Sequence, residues 1–90
     1  MTRQAKLLRK ILRGDSDRNV GFDELCDLLR QLGFDERHRG SHHIFTKAAV
    51  PEIVNLQPLS GGGAKPYQVK QVRQVIQRHE LAREVDDDQA

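Results

Sequence analysis

The 90-residue sequence predicts an α+β fold in which helices cover one face of a three-stranded antiparallel sheet. Apolar residues recur every three or four positions towards both ends of the chain, which is the period of an amphipathic helix. Between residues 34 and 57 the period shortens towards two, the period of a strand. The connections in that middle segment are too short for parallel crossovers, so the strands should form an antiparallel meander.

Three helices are expected, in the order α-α-β-β-β-α. The first covers residues 4–13, where leucine and isoleucine form one apolar face, and it ends at Gly14. The second begins after Gly21, which serves as its N-cap, and Gly33 stops it. The third begins at Pro66, because proline lacks an N–H that would be unpaired in the first helical turn anyway.

Three short strands are expected in the middle of the chain. They cover residues 34–39, 41–47 and 52–57. Gly40 lies in the first turn and residues 48–51 form the second. The glycines of residues 60–63 predict a flexible loop with too little side chain to pack.

Charge is segregated along the chain although the net charge is only +2. Residues 1–13 carry +5, residues 14–36 carry −5, residues 37–83 carry +6 and residues 84–90 carry −4. A basic surface is the electrostatic footprint of a polyanionic ligand such as RNA, although lysine and arginine also simply solvate helix faces. We therefore expect a single domain over residues 1–83, followed by a disordered acidic tail at residues 84–90.

The cysteine content and the length of the apolar segments indicate in which cell compartment the protein is expected. The lone Cys26 has no partner for an internal disulfide, which fits a reducing cytoplasm, and its expected role is a small core residue. No apolar run approaches the ~20 residues needed to span a membrane. The expected location is therefore the cytoplasm, without membrane attachment.

The most informative segment is Arg39-Gly40-Ser41-His42-His43-Ile44-Phe45. It places two histidines after a Gly-Ser turn, at the start of an apolar strand and beside arginines. Imidazole exchanges protons near neutral pH and guanidinium binds phosphate, so these groups suffice for RNA cleavage in which the ribose supplies the nucleophile. His42 and His43 should point to opposite faces of the strand, and since Ile44 and Phe45 are both apolar, alternation does not decide which histidine faces the core.

Cationic and hydroxyl groups around these histidines are candidates for binding RNA phosphates. They are Arg37, Arg39, Ser41, Lys47, Lys65, Lys70 and Arg73. The N-terminus of the last helix also attracts phosphate. His38 is expected at the surface or in contact with substrate, and His79 as a packing residue or as a cation at the helix C-terminus.

The Gly40-Ser41-His42 sequence, together with residues 55–58 and 64–73, resembles the HicA family of small toxins. These are mRNA interferases that HicB antitoxins neutralise, and they share the α-β-β-β-α fold of double-stranded-RNA-binding domains. The resemblance implies that His42 is the catalytic residue. It also implies that the partners are mRNA and a HicB-like antitoxin. Where many family members carry a second histidine at the third strand, this chain has Gln57-Pro58-Leu59.

The first helix lies outside that unit, and two roles remain open for it: packing on the core edge, or a basic arm on nucleic acid. No metal or other cofactor is expected, because His38 and His42 have the spacing of a zinc-finger pair but no Cys-x-x-Cys accompanies them. The rival to the toxin hypothesis is a non-catalytic domain that binds RNA or a protein through the same basic face. The free chain is expected as a monomer, although the sequence leaves the oligomeric state open.

Overall fold

The computed structural model describes residues 2–83 and has the predicted α+β architecture. The elements are α1 (Arg3–Arg13), a short 3₁₀ turn (Asp17–Asn19), α2 (Phe22–Gln31), β1 (Asp35–Arg39), β2 (His42–Lys47), β3 (Val50–Leu56) and α3 (Pro66–Arg78). From α2 onwards the order is α-β-β-β-α, which confirms the arrangement of double-stranded-RNA-binding domains. The predicted acidic tail, residues 84–90, lies outside the described residues. Within residues 2–83, none of the helices combines the length and the apolar composition that crossing a bilayer requires.

Helix α1 is an integral part of the domain. The Thr2 hydroxyl accepts a hydrogen bond from the Ala5 N–H at 3.0 Å and so caps the first turn. At the other end Gly14 adopts φ 77° and its N–H donates to the Ile11 carbonyl, which closes the helix. The buried face of α1 consists of Ala5, Leu7, Leu8 and Ile11, which belong to the same hydrophobic core as α2, the sheet and α3. Of the two roles left open for this helix, packing on the core is confirmed.

The sheet is an antiparallel meander in the order β1-β2-β3. Phe45 at its centre lies opposite Glu36 on β1 and Val54 on β3. Phe45, Val54 and Leu56 are fully buried, so they mark the face that the helices cover. The neighbouring positions point the other way, and the 60% exposure of Ile53 shows that this second face is open to solvent.

The second turn is shorter than the sequence predicted. Ala48 and Ala49 alone make the connection, with Ala49 at φ 72°. Val50 pairs with Lys47 and is buried, so placing residues 50 and 51 in the turn was wrong. Proline rarely continues a strand, which hid the start of β3, but β3 is an edge strand where the missing N–H of Pro51 is tolerated.

The glycine-rich loop is held by backbone hydrogen bonds to the segment that begins α2. The Phe22 N–H donates to the Gly62 carbonyl and the Ala64 N–H donates to the Val20 carbonyl, both at 2.9 Å. Gly61 and Gly62 have φ near +95° and +92°, a conformation that side chains disfavour. The glycines therefore shape a specific connection here, whereas the sequence had suggested an unpacked linker.

Candidate active site

The two adjacent histidines of β2 lie on opposite faces of the sheet. His43 is two residues from the buried Phe45 and shares its face, towards the helices. His42 shares the open face with Ile44 and lies opposite Arg39 of β1. The register of the sheet thus separates two side chains that the sequence alone left equivalent.

His42 is exposed and held by a neutral partner. Its Nδ1 lies 2.9 Å from the side-chain oxygen of Asn55, which projects from β3 onto the same face. Because an amide oxygen only accepts hydrogen bonds, Nδ1 is the donor in this contact, and Nε2 is not part of it. The arrangement presents an oriented imidazole whose other nitrogen can accept a proton.

A chain of hydrogen bonds runs beside His42 at this end of the sheet. The Gln57 amide nitrogen donates to the Ser41 hydroxyl, and the Lys65 ammonium donates to the Gln57 amide oxygen, each at 2.9 Å. The backbone N–H of Gln57 in turn donates to the side chain of the buried Gln68 at 3.1 Å. This chain fixes the cation of Lys65 in the neighbourhood of the Gly-Ser turn.

The open face also contains a depression, whose lining does not include His42. Arg37, Arg39, Ile44 and Ile53 contribute to its lining, and its volume is about 360 Å³. Both arginines are exposed on β1, and the register places Arg39 across from His42 and Arg37 across from Ile44. The open face therefore combines a proton-transfer group with cations and apolar surface.

His43, in contrast, is packed on the covered face. Its side chain is 21% exposed, and its Nδ1–H donates to a Glu36 carboxylate oxygen at 2.7 Å. The ring meets Phe22 of α2 edge-on, with centroids 4.8 Å apart, and lies 4.2 Å from the ring of His38. Through the contact with Phe22, His43 joins the sheet to α2.

Glu36 is the centre of this inner cluster. One carboxylate oxygen accepts hydrogen bonds from His43 and His38, and the other accepts from the Arg30 guanidinium of α2 at 2.7–2.8 Å. Burial raises the pKa of Glu36, but the hydrogen bonds from His43 and Arg30 outweigh that effect, so its pKa lies below its ordinary value. A carboxylate with this many donors holds the sheet to α2.

Cys26 lies beside the same cluster. Within residues 2–83, it forms with Glu36 and His43 a group whose spacing would suit a metal ion. Potential ligand atoms of Cys26, Glu36 and His43 lie within 4.8 Å of one another. Burial, helped by the nearby Glu36 charge, raises the pKa of the Cys26 thiol to about 12, so the thiol stays protonated. The Glu36 oxygens are engaged by Arg30 and the histidines, so hydrogen bonds account for the grouping. The absence of a metal remains a prediction.

The predicted phosphate-binding residues do not all gather at the site. Four of them lie on or beside the open face: Ser41, Lys65, Arg37 and Arg39. Lys47 lies at the far end of β2, five residues or about 16 Å from His42, and Lys70 is exposed on α3.

Arg73 differs most from its expected role. Its guanidinium donates to both carboxylate oxygens of Asp17, at 2.8 and 3.1 Å, and to the Ile11 carbonyl at 3.1 Å. The side chain is 14% exposed, and it ties α3 to the end of α1 and to the turn that follows it. These contacts favour a structural role for Arg73, and phosphate binding by this residue stays a prediction.

His79 is the C-cap residue of α3. Its Nε2 lies 2.7 Å from a carboxylate oxygen of Glu52 on β3, and Arg78 binds the other oxygen of the same carboxylate. These bonds, led by the one from His79, lower the pKa of Glu52 to about 2. The covered side of the sheet thus has a second histidine–carboxylate pair.

The sequence model of the family described as "HicA toxin of bacterial toxin-antitoxin" matches residues 22–79, which is well over half of the chain. No curated protein and no solved structure gives a significant match. The chain belongs to the HicA toxin family, and its fold has the α-β-β-β-α order expected for that family. Membership implies a toxin of a toxin–antitoxin system, with an antitoxin as its partner.

Asn55 and Gln57 are candidate site residues that sequence reasoning missed. Both belong to the segment Asn55-Leu56-Gln57-Pro58 that had carried part of the resemblance, but no role was attached to them. A signal was present: polar residues alternate there with the apolar Val54 and Leu56, which places Asn55 and Gln57 on the face away from the core.

Proposed function

We propose that this protein is a metal-independent endoribonuclease, an mRNA interferase, in which His42 is the acid–base residue. The observation that supports this most is the pairing of an exposed His42 with Asn55, which leaves one imidazole nitrogen free to take a proton. The same face presents Arg37 and Arg39, and Lys65 lies beside it. His43 is the less suitable candidate because Glu36 and Phe22 engage it.

The proposed reaction uses the RNA's own nucleophile. His42 removes the proton of a ribose 2′-hydroxyl, and the 2′-oxygen attacks the adjacent phosphorus. Lys65, Ser41 and Arg39 stabilise the negative charge that develops on the phosphorane oxygens. The bond to the 5′-oxygen breaks and that oxygen takes up a proton from the imidazolium or from water. The products carry a 2′,3′-cyclic phosphate and a 5′-hydroxyl.

The chemical groups at the ends of the RNA fragments test this proposal. The purified chain should cleave RNA in excess EDTA and leave 2′,3′-cyclic phosphate ends, which mass spectrometry of the fragments identifies. Activity that disappears on chelation and returns with a divalent cation would contradict metal independence. Cys26, Glu36 and His43 would then be the candidate metal ligands. RNA binding without cleavage over hours would instead favour the non-catalytic binding domain.

The proposed site also indicates where the antitoxin acts. A toxin that cleaves mRNA in the cytoplasm must be inhibited by a partner that covers its site, and the Gly40–Phe45 hairpin with the open face is the surface to cover. Ile53 of β3 is 60% exposed on that face and offers an apolar anchor, and the arginines of β1 favour an acidic protein. We expect the complex with such a HicB-like antitoxin to be inactive on RNA and to weaken as salt is added.

Substitution of the anchor tests this surface. Ile53→Asp should weaken antitoxin capture, measured by co-purification, because it removes the apolar anchor and adds repulsion towards an acidic partner. Leu59→Asp is a matched control, since Leu59 is also an exposed apolar residue but lies in the loop after β3. Equal capture of the Ile53 variant and the parent would place the antitoxin on another surface.

A further inference from the structure

Helix α1 turns a stripe of cations towards solvent. The stripe consists of Arg3, Lys6, Arg9 and Arg13, all exposed and spaced by three, three and four residues, so they share one side of the helix. The helix contains no acidic residue. Because the family match begins at residue 22, this basic stripe lies outside the matched region.

The basic stripe is electrostatically unfavourable for the folded helix. Cations three or four positions apart repel one another. The macrodipole favours Arg13 in the last turn, but it disfavours Arg3 at the helix N-terminus, where it favours negative charge. Within residues 2–83, Arg13 is the stripe member that forms an ion pair, with Asp15 at 3.6 Å and both groups exposed. The stripe cations do little to stabilise the helix on which they lie. Binding of an external anion therefore explains their presence better than folding does.

The fold nevertheless presents this helix rigidly. The Thr2 cap and Gly14 fix its ends, and the Arg73 guanidinium holds the Ile11 carbonyl at 3.1 Å. Lys10, next to the stripe, is bonded to the Asn19 carbonyl and so joins α1 to the following turn. The four stripe cations are thus displayed on a fixed scaffold about 15 Å long, given the rise of an α-helix.

We infer that the basic stripe binds the phosphate backbone of the RNA substrate, outside the cleavage site. This inference rests on the proposed ribonuclease function. Phosphate binding requires only positive charge in a row, whereas a protein interface needs apolar anchors at its centre. The large apolar side chains that are exposed within the described residues, Ile53, Leu59 and Tyr67, lie on β3, the following loop and α3. The stripe has none, which favours RNA over an antitoxin.

The position of the stripe determines what it contributes. α1 belongs to the helical layer, while His42 lies on the open face of the sheet, so the stripe holds RNA that flanks the scissile phosphate. Such a contact is made equally in the ground state and in the transition state. It therefore lowers KM and leaves kcat unchanged.

Salt-dependent binding tests this assignment. In a His42→Gln background, which keeps the RNA intact, Lys6→Gln with Arg9→Gln should flatten the log–log dependence of affinity on salt by about 0.7 per lost phosphate contact. Near 0.1 M salt the affinity should fall roughly fivefold per contact. The melting temperature should stay at or above that of the parent, because repulsion within α1 is relieved. The matched control removes two charges elsewhere on the surface, Arg78→Gln with Arg83→Gln, and should leave the salt slope unchanged.

The outcomes separate this inference from the function on which it rests. A salt slope equal to the parent's, or one reduced equally by the control pair, overturns the assignment of the stripe. Loss of antitoxin capture with unchanged RNA binding overturns it in favour of a protein partner. Cleavage by the chain with an intact His42, measured on the same RNA, tests the ribonuclease proposal independently. If the double variant does not fold, Lys6→Gln alone provides the test with about half the slope change.

Discussion

The adjacent residues His42 and His43 lie on opposite faces of the sheet and have different hydrogen-bond partners. On the covered face, His43 donates to the carboxylate of Glu36 and packs against Phe22. On the open face, His42 is hydrogen-bonded to the neutral amide of Asn55 and stays exposed. His79 follows the pattern of the covered side, since its partner is the carboxylate of Glu52.

The difference lies in the charge of the partner. A carboxylate favours the protonated imidazolium and makes a strong bond that joins elements of the fold. An amide oxygen orients the ring without adding charge, which suits a group that must take up and release a proton. The comparison predicts that substitutions on the covered face change stability, whereas those on the open face change chemistry.

The largest effect on stability is expected at Glu36. Glu36→Gln removes the charge that Arg30, His38 and His43 share, and the side chain is only 12% exposed. The loss should be about 2 kcal/mol, or roughly 8–16 °C in melting temperature for a domain of this size. RNA cleavage at a temperature where the variant is folded should remain close to that of the parent.

A matched control is Glu80→Gln, which removes an exposed carboxylate that is paired with Arg83 at 3.4 Å. Its effect should stay within about 0.5 kcal/mol. A Glu36 variant that melts like the parent but no longer cleaves RNA would reverse the roles of the two faces.

On the open face, the charge of the histidine's partner should affect the pH dependence of cleavage. Asn55→Asp places a carboxylate beside His42 and favours the imidazolium, so the acidic limb of the pH–rate profile should move up by roughly one unit. Ile53→Asp adds the same charge to this face without replacing the partner of His42, and it should leave the limb in place. Identical profiles for the two variants would mean that Asn55 does not act on the catalytic group.

A smaller effect is expected at Glu52, and it depends on pH. Its pKa is lowered from 4.5 to about 2, so the ionised carboxylate contributes its full stability above pH 4.5 and loses it as pH falls towards 2. Glu52→Gln should therefore lower the melting temperature at pH 7, and the difference from the parent should vanish near pH 2. Thermal melts across this range measure it, and a difference that does not vary with pH would contradict the role of the His79 pair.

Local signals predicted most of the fold because they act within a few residues. The stop at Gly14, the cap at Gly21 and the start at Pro66 each depend on backbone conformation at one position, and all three appear in the structure. The predicted bounds of the second turn were wrong because proline favours turns locally. Pairing with β2 decides where β3 begins, and it includes Val50.

The candidate site was only partly predictable because its bonds join distant residues. The choice between His42 and His43 depends on which of Ile44 and Phe45 is buried, and both are apolar. The partner of Arg73, Asp17, is 56 residues away in the sequence, so this ion pair could not be predicted from the residues around Arg73. Such pairings depend on tertiary structure, which no local pattern in the sequence encodes.

The most direct test compares the two histidines in one assay. Single-turnover cleavage of a labelled RNA should be about 10²–10⁴-fold slower with His42→Gln, while its melting temperature matches that of the parent. His43→Gln should melt at a lower temperature yet cleave within a few-fold of the parent rate once folded. The contradicting result is the reverse: cleavage abolished by His43→Gln in a stably folded protein and retained by His42→Gln.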